Sequence, residues 1–333
     1  MSQPGRTSVR SETITLIVFF ALLAAVAGTF AAVSPSFRSP TNAINLLKHM
    51  APIALAGLGL TFVVAVGFAD MSFPWVCCLS GMTMSYMIAR GFSPVPSILI
   101  GLAVGAAFGV LNGVLVGRFR LPDMVVTIGV GSVAWGLAYL YSGGSHIYEN
   151  FVTSGIRRLS DARPLGVPLP TILMAAAYVL GYLLLHRSKW GRRLYATGGN
   201  EIAARFSGIR VERYVAAAFV LCGVLASLTN MIKIAAQGNG NVKGGLAFLM
   251  PAYATVFVGI SVFKKATVIG TFLGALLIAV MQNGFTSMSK PVYYMNLAVG
   301  LVLIVAIVIS KIDFKELLRR RRLRSQLARA EGA

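Results

Sequence analysis

Runs of about 20 apolar residues recur along this chain, and a helix of that length crosses the hydrocarbon core of a bilayer. Hydropathy read together with loop signals places ten spans, roughly at 13–33, 43–67, 72–90, 95–117, 124–141, 169–186, 214–233, 250–263, 266–285 and 293–310. With 56% hydrophobic and 12% charged residues and a mean hydropathy of +0.76, an ordinary soluble domain is excluded. The expected fold class is an all-α integral membrane protein of about ten transmembrane helices. The first run follows Arg6 and Arg10 as a signal peptide would, but its length and the spans beyond it favour an uncleaved span. Pro52 interrupts the second span and Pro251 opens the eighth. Such segments either line a cavity or form packed kinks.

The net charge of +20 would suit a nucleic-acid partner if it were clustered on a soluble face. Instead, Lys and Arg fall in short loops and a tail, the pattern of positive-inside sorting. With both termini cytoplasmic, 21 of the 30 basic residues lie inside. The expected organisation is a cytoplasmic arm (1–12), a transmembrane domain (13–311) and a basic cytoplasmic tail (312–333). Within the domain, loop 187–213 would be cytoplasmic and loop 142–168 would face outside. The tail's expected role is anchoring to anionic lipid. Cys77, Cys78 and Cys222 all fall in apolar segments and suggest no disulfide framework. No Cys/His spacing suits a metal, and no convergent catalytic set is present.

Between the sixth and seventh spans stands a polar, basic, glycine-punctuated island, WGRRLYATGGNEIAARFSGIRVERY, from Trp190 to Tyr214. A connection between spans needs only a few residues, and this one has the marks of its own small helix. Asn200 suits an N-cap, Glu201 places negative charge at the positive end of the helix dipole, and Gly208 can leave through a left-handed conformation. An amphipathic helix of about two turns in an aqueous loop is a surface for a partner. The alternative is a solvated loop that only sets topology.

All ten acidic residues lie in loops, tails or at span ends by this reading, with Asp70 and Asp123 nearest to the membrane interior. Ion-coupled transporters usually carry an ionisable group near mid-membrane, so proton coupling is disfavoured. No phosphate-binding G-x-x-x-x-G-K-[ST] loop is present. Energy for active transport would then arrive from another chain, with the island as its port of entry.

Four segments carry a family resemblance: GNEIAARFSGI (Gly199 to Ile209), GFADMSFPWVCCLSGM (Gly67 to Met82), the stretch Gly101 to Gly144, and GTFLGALLIAVMQNGF (Gly270 to Phe285). Together they resemble permeases of bacterial ABC importers of the ribose/xylose/galactose class, over about residues 40–311. The chain departs from that pattern at Ser72-Phe73-Pro74 and at Phe263-Lys264-Lys265-Ala266, where the family often has Ser-Val-Gly and a Gly-Gly-rich turn.

The resemblance implies a permease homodimer or heterodimer in the bacterial inner membrane, two cytoplasmic ABC ATPase subunits and a periplasmic sugar-binding protein. It implies no cofactor on this chain, with ATP and Mg held by the ATPase. By the same resemblance Gly199, Asn200, Glu201, Ala203, Ala204 and Gly208 belong to the ATPase-docking helix, flanked by Arg192 and Arg205. Ala203 and Ala204 would allow close approach.

Polar residues within spans are candidates for the solute path: Asn45, Asn112, Thr127, Asn230, Gln282 and Asn283, with Trp135 and Tyr139 offering aromatic faces. Each amide could equally be an interhelical hydrogen bond. Gly101, Gly105, Gly109, Gly270 and Gly274, at i, i+4 spacing, suit close helix packing. Gly-x-x-x-Gly-Ala occurs in both groups, a faint internal echo. The expected function is transport of a monosaccharide or polyol. Branched-chain amino acids or nucleosides, or an ion-coupled secondary transporter, are the alternatives.

Overall fold

The structure, a computed structural model, describes residues 6–311, with side chains from 15 to 310. The basic tail 312–333 and the first five residues of the expected arm lie outside the described residues. The bundle is built from α1 (Arg6–Val33), α2 (Pro40–Ala65), α3 (Phe73–Ala89), α4 (Pro94–Gly117) and α5 (Asp123–Leu140). A loop carrying the single turn α6 (Arg158–Asp161) leads to α7 (Leu169–Tyr182), extended by a π-turn to Arg187. Two short helices, α8 (Lys189–Gly199) and α9 (Glu201–Phe206), precede α10 (Val211–Gln237). The chain continues through α11 (Leu249–Phe263), α12 (Val268–Ser287) and α13 (Val292–Lys311).

Among the described residues nine helices are long and apolar enough to cross a membrane, and α3, at 17 residues, is apolar but shorter. They coincide with the ten expected spans, shifted at their ends by local caps. Ser39 accepts from the Asn42 amide and Pro40 opens α2. Thr267 accepts from Gly270 to start α12. Gly238, at φ +70°, ends α10 beyond the expected boundary. α1 already begins at Arg6, inside the expected arm. Pro251 lies in the first turn of α11, where its missing N–H costs no helix bond. Pro52 lies inside α2, and its carbonyl accepts the Thr229 hydroxyl at 3.3 Å.

The halves α2–α5 and α10–α13 share a plan and cross the bundle in opposite senses. Each runs long helix, connection, short helix, glycine-bearing helix, then a more exposed helix. Their partners are exchanged: α4 packs on α10 as α12 packs on α2. Likewise, α3 meets α4, α5 and α10 as α11 meets α12, α13 and α2. The repeated Gly-x-x-x-Gly-Ala falls on α4 and α12, equivalent helices in this exchange. It permits backbone contact: a Cβ on Gly105 would overlap the Gly223 carbonyl and Ser227 Oγ, and one on Gly274 would overlap the Thr255 backbone.

Both short helices begin inside the bundle because the connections before them dip inward. The first, 66–72, leaves helical bonding with Val66, Asp70 and Ser72 buried and most of the rest partly so, and its inner amides need other acceptors. Four consecutive N–H groups donate to side chains. Ala69 bonds Asp123 Oδ2 (2.7 Å), Asp70 bonds Tyr253 Oη (3.1 Å), Met71 bonds Thr127 Oγ1 (3.1 Å) and Ser72 bonds Asp70 Oδ1 (2.8 Å). Tyr253 Oη also donates to the Asp70 carbonyl at 3.0 Å. Asp70 is only 2% exposed, which corrects its expected place at a span end.

The second connection, 238–248, enters from the opposite face. Gly240 pairs with Ile147 as an isolated antiparallel bridge and lies beside Ser85. Gly245 lies against Pro74 and Cys77 and donates to Cys78 Sγ at 3.1 Å. The chain thus descends about 12 Å along α3, eight residues at helical rise.

Two outcomes are expected on unfolding in detergent. Gly105→Ala should lose on the order of 1–3 kcal/mol by forcing the α4–α10 seam apart, whereas Gly129→Ala, facing open space, should not lower the midpoint. Tyr253→Phe should cost about 1–3 kcal/mol because it strands the Asp70 amide and carbonyl. An unchanged midpoint would show that the phenol is dispensable.

Candidate functional site

The expected island helix is present as the second of two. α9 starts at Asn200, whose side chain accepts from the Ala203 amide at 2.9 Å. It ends in paired reverse bonds, Gly208 N–H to Arg205 O and Ile209 N–H to Ala204 O, both 3.0 Å. Gly208 has φ +76°, the left-handed exit that glycine allows most readily. At six residues the helix is slightly shorter than expected.

Its flanking charge is structural. Arg205 bonds Glu201 at 2.8 Å and also pairs with Glu212 at the start of α10. The two carboxylates hold its guanidinium above its ordinary pKa, the Glu212 hydrogen bond first. Arg205 thus ties α9 to α10, while Arg192 stands exposed on α8.

α8 was not anticipated. Ser188 caps it by accepting from Gly191 at 3.1 Å, and Gly191, Leu194 and Thr197 form a short buried face. Three contacts fasten it to the bundle. Trp190 packs edge-on against Phe62, Tyr195 Oη donates to the Ala266 carbonyl at 2.6 Å, and Gly198 packs against the Ala65 carbonyl. Burial also raises the Tyr195 phenol above its ordinary pKa. Of the glycine pair, Gly198 is the one with no room for a side chain; Gly199 faces open space.

On α9, Ala204 is buried, and Glu201 is half-buried. Ala203 is exposed. The apolar surface it offers is Ile202, 69% exposed, and Phe206, 89% exposed, four residues apart and so on one face. Sequence reasoning passed over this pair in favour of the alanines, although its i, i+4 spacing was visible.

The residues proposed for a solute path separate into groups. Asn112 and Thr127 converge on the first connection: Asn112 Nδ2 donates to Ser72 Oγ at 2.7 Å, and Ser72 Oγ donates to Asp70 Oδ1 at 2.6 Å. Trp135, Tyr139 and Asn230 gather around the second. Trp135 Nε1 donates to the Val242 carbonyl at 3.2 Å and its ring meets Tyr139 edge-on at 5.5 Å. Asn230 Nδ2 donates to the Cys77 carbonyl at 2.6 Å. Asn112 and Asn230 are each 1% exposed, and each has an Oδ1 without a donor.

Asn283 is instead an interhelical link, exchanging amide bonds of 2.7 and 3.0 Å with Asn42. Asn45 and Gln282 are half-buried and join neither group. Sequence reasoning missed Ser72, Tyr253, Lys233 and Lys243. Lys233 Nζ donates to the Gly244 carbonyl at 2.6 Å and lies over the Phe248 ring.

A family model described as the branched-chain amino acid transport system / permease component matches residues 42–308. The ribose import permease protein RbsC of Bacillus subtilis (strain 168) is 31% identical over 280 residues, covering 84% of this chain and 87% of its own. The D-allose transport system permease protein AlsC of Escherichia coli (strain K12) is 27% identical, covering 89% and 91%. The fructose import permease protein FrcC of Rhizobium meliloti is 28% identical, covering 83% and 79%. No solved structure matches. A shared span pattern, matched nearly end to end, leaves one assignment: the chain belongs to this family of membrane transport permeases.

Proposed function

We propose that the chain is the membrane-spanning subunit of an ATP-driven ABC importer for a monosaccharide or related polyol, delivered by a binding protein. The family description names branched-chain amino acids, but the relatives similar over most of this chain are named for ribose, allose and fructose. Those sugar names favour a hydroxylated solute. ATP and Mg would be held by a partner ATPase, with this chain contributing no hydrolytic site.

The observation that carries the ATP-driven reading is α8–α9, a folded module fastened to the bundle with Ile202 and Phe206 turned outward. An aromatic and an aliphatic side chain on one exposed face suit a hydrophobic cleft on a partner. Arg118, the 187–213 loop and Lys265 gather at the same end of the bundle, where Lys265 Nζ lies over the Tyr195 ring. By the positive-inside rule this end is cytoplasmic, which makes both termini cytoplasmic and loop 142–168 periplasmic. Residues 13–311 then form the permease domain in the inner membrane, paired with a second copy or a paralogue.

A purified complex tests the solute class. ATPase activity stimulated by a sugar-loaded binding protein supports the reading, and stimulation by leucine or a nucleoside instead overturns it. Separately, Ile202→Ser with Phe206→Asp should reduce ATPase co-purification at least tenfold while leaving membrane insertion intact. Undiminished co-purification would remove α9 as the docking surface.

A further inference from the structure

Lys243 is placed where a charged side chain cannot face lipid. It lies in the second inward connection, between Gly240 at the level of Ser85 and Gly245 at the level of Cys77. Interpolation puts its backbone roughly 13 Å below the end of α3 at Ala89. A lysine stem reaches about 6 Å, too little to carry the ammonium back to the interface. Its backbone is fixed: the Lys243 amide bonds Asn241 Oδ1 at 2.8 Å and its carbonyl accepts from Leu246.

The side chain is exposed, and its ammonium meets no acceptor among the described residues. No Asp or Glu occurs between Glu212 and Asp313, so this half of the described chain contains no local counter-ion. An exposed ammonium at hydrocarbon depth is tolerated only against water or a polar partner.

Its surroundings have the chemistry of a solute path. The preceding residue, Val242, is held by Trp135 Nε1, whose ring meets Tyr139; both rings are half-buried. The unpartnered Asn230 Oδ1 lies beside Gly244. Irregular backbone at this depth is tolerated where it is buried in protein or lines a water-filled cavity. Val242, Gly244 and Gly245 are buried, while Lys243 and Ala247 face outward.

We propose that Lys243 faces the aqueous translocation path, where its ammonium donates to an oxygen-rich solute and repels cations. The inference rests on the importer reading and deepens it. Indole and phenol faces suit the C–H surface of a sugar, and an ammonium suits hydroxyl or carboxylate oxygens. Neutral polyols and their acids pass, and cationic solutes are held back.

The test uses the full transporter complex in membrane vesicles with membrane-impermeant thiol reagents. Cys77, Cys78 and Cys222 are buried, so the unsubstituted chain sets the background. Lys243→Cys should react at least tenfold faster than Leu180→Cys, an exposed apolar position on α7. Ala247→Cys, exposed further along the segment, should prefer an anionic over a cationic reagent on the order of tenfold. That preference should fall severalfold when Lys243→Gln is added, the remainder being set by Lys233 beside Gly244 and Phe248.

Reaction of Lys243→Cys no faster than Leu180→Cys would overturn the proposal, as it would mean a lipid-facing or sealed position. A preference at Ala247→Cys that Lys243→Gln leaves undiminished would overturn the electrostatic role. Neither labelling result depends on a solute. ATP-dependent sugar uptake by the unsubstituted complex judges the importer reading separately.

Discussion

Four consecutive backbone amides, those of residues 69–72, hold the architecture together by finding acceptors on side chains rather than within a helix. A break in helical bonding inside a membrane protein costs several kcal/mol for each group left bare. Here the break is closed by Asp123 and Thr127 of α5, Tyr253 of α11 and Asp70 itself. The start of α3 is thereby fixed against two other helices at hydrogen-bond distance. Ser72 then receives Asn112 of α4, so four helices converge on one seven-residue connection. Simple apolar packing would let these helices slide; directional bonds to a fixed run of amides set their register.

The same connection is where the bundle meets its external module. Gly67, at φ +95°, lies against Gly198 at the end of α8, and Gly198 lies against the Ala65 carbonyl, a contact too close for any side chain. Tyr195 ties α8 to the turn before α12, and Arg205 ties α9 to the start of α10. Under the importer reading, a load applied to Ile202 and Phe206 reaches α10 directly and α3 and α12 through α8. Packed contacts and directional bonds transmit rigid-body displacement, the form of switching that an alternating-access machine requires.

What the sequence disclosed follows from where the deciding forces are local. The spans were visible because hydrocarbon thickness imposes their length, and the start of α9 because Asn200 bonds only three residues ahead. α8 was overlooked although its apolar side chains fall on one face: its polar, basic, glycine-bearing sequence reads as a loop. Asp70 was misjudged because hydropathy sees a polar break as a loop at the surface. Only tertiary structure supplies the phenol and carboxylate that let this break lie inside. For the same reason Asn112 and Asn283 looked alike in sequence, though one joins the buried connection and the other pairs with Asn42.

The two inverted halves put their matching connections to different uses. In the first, a carboxylate lies deeper than its sequence context suggested, which raises ion coupling anew. Its bonds argue otherwise: Asp70 Oδ1 accepts both the Ser72 amide and hydroxyl, capping the start of α3 within its own loop. A carboxylate engaged this way stabilises a buried turn, and swinging Oδ1 away from α3 would unpair the Ser72 amide. In the second half the backbone is held by fewer bonds per residue, among them those of Gly240, Lys243 and Gly245, and the charged side chain projects outward instead of closing on itself. The same plan therefore yields one connection that locks helices together and one that leaves a donor available to whatever passes.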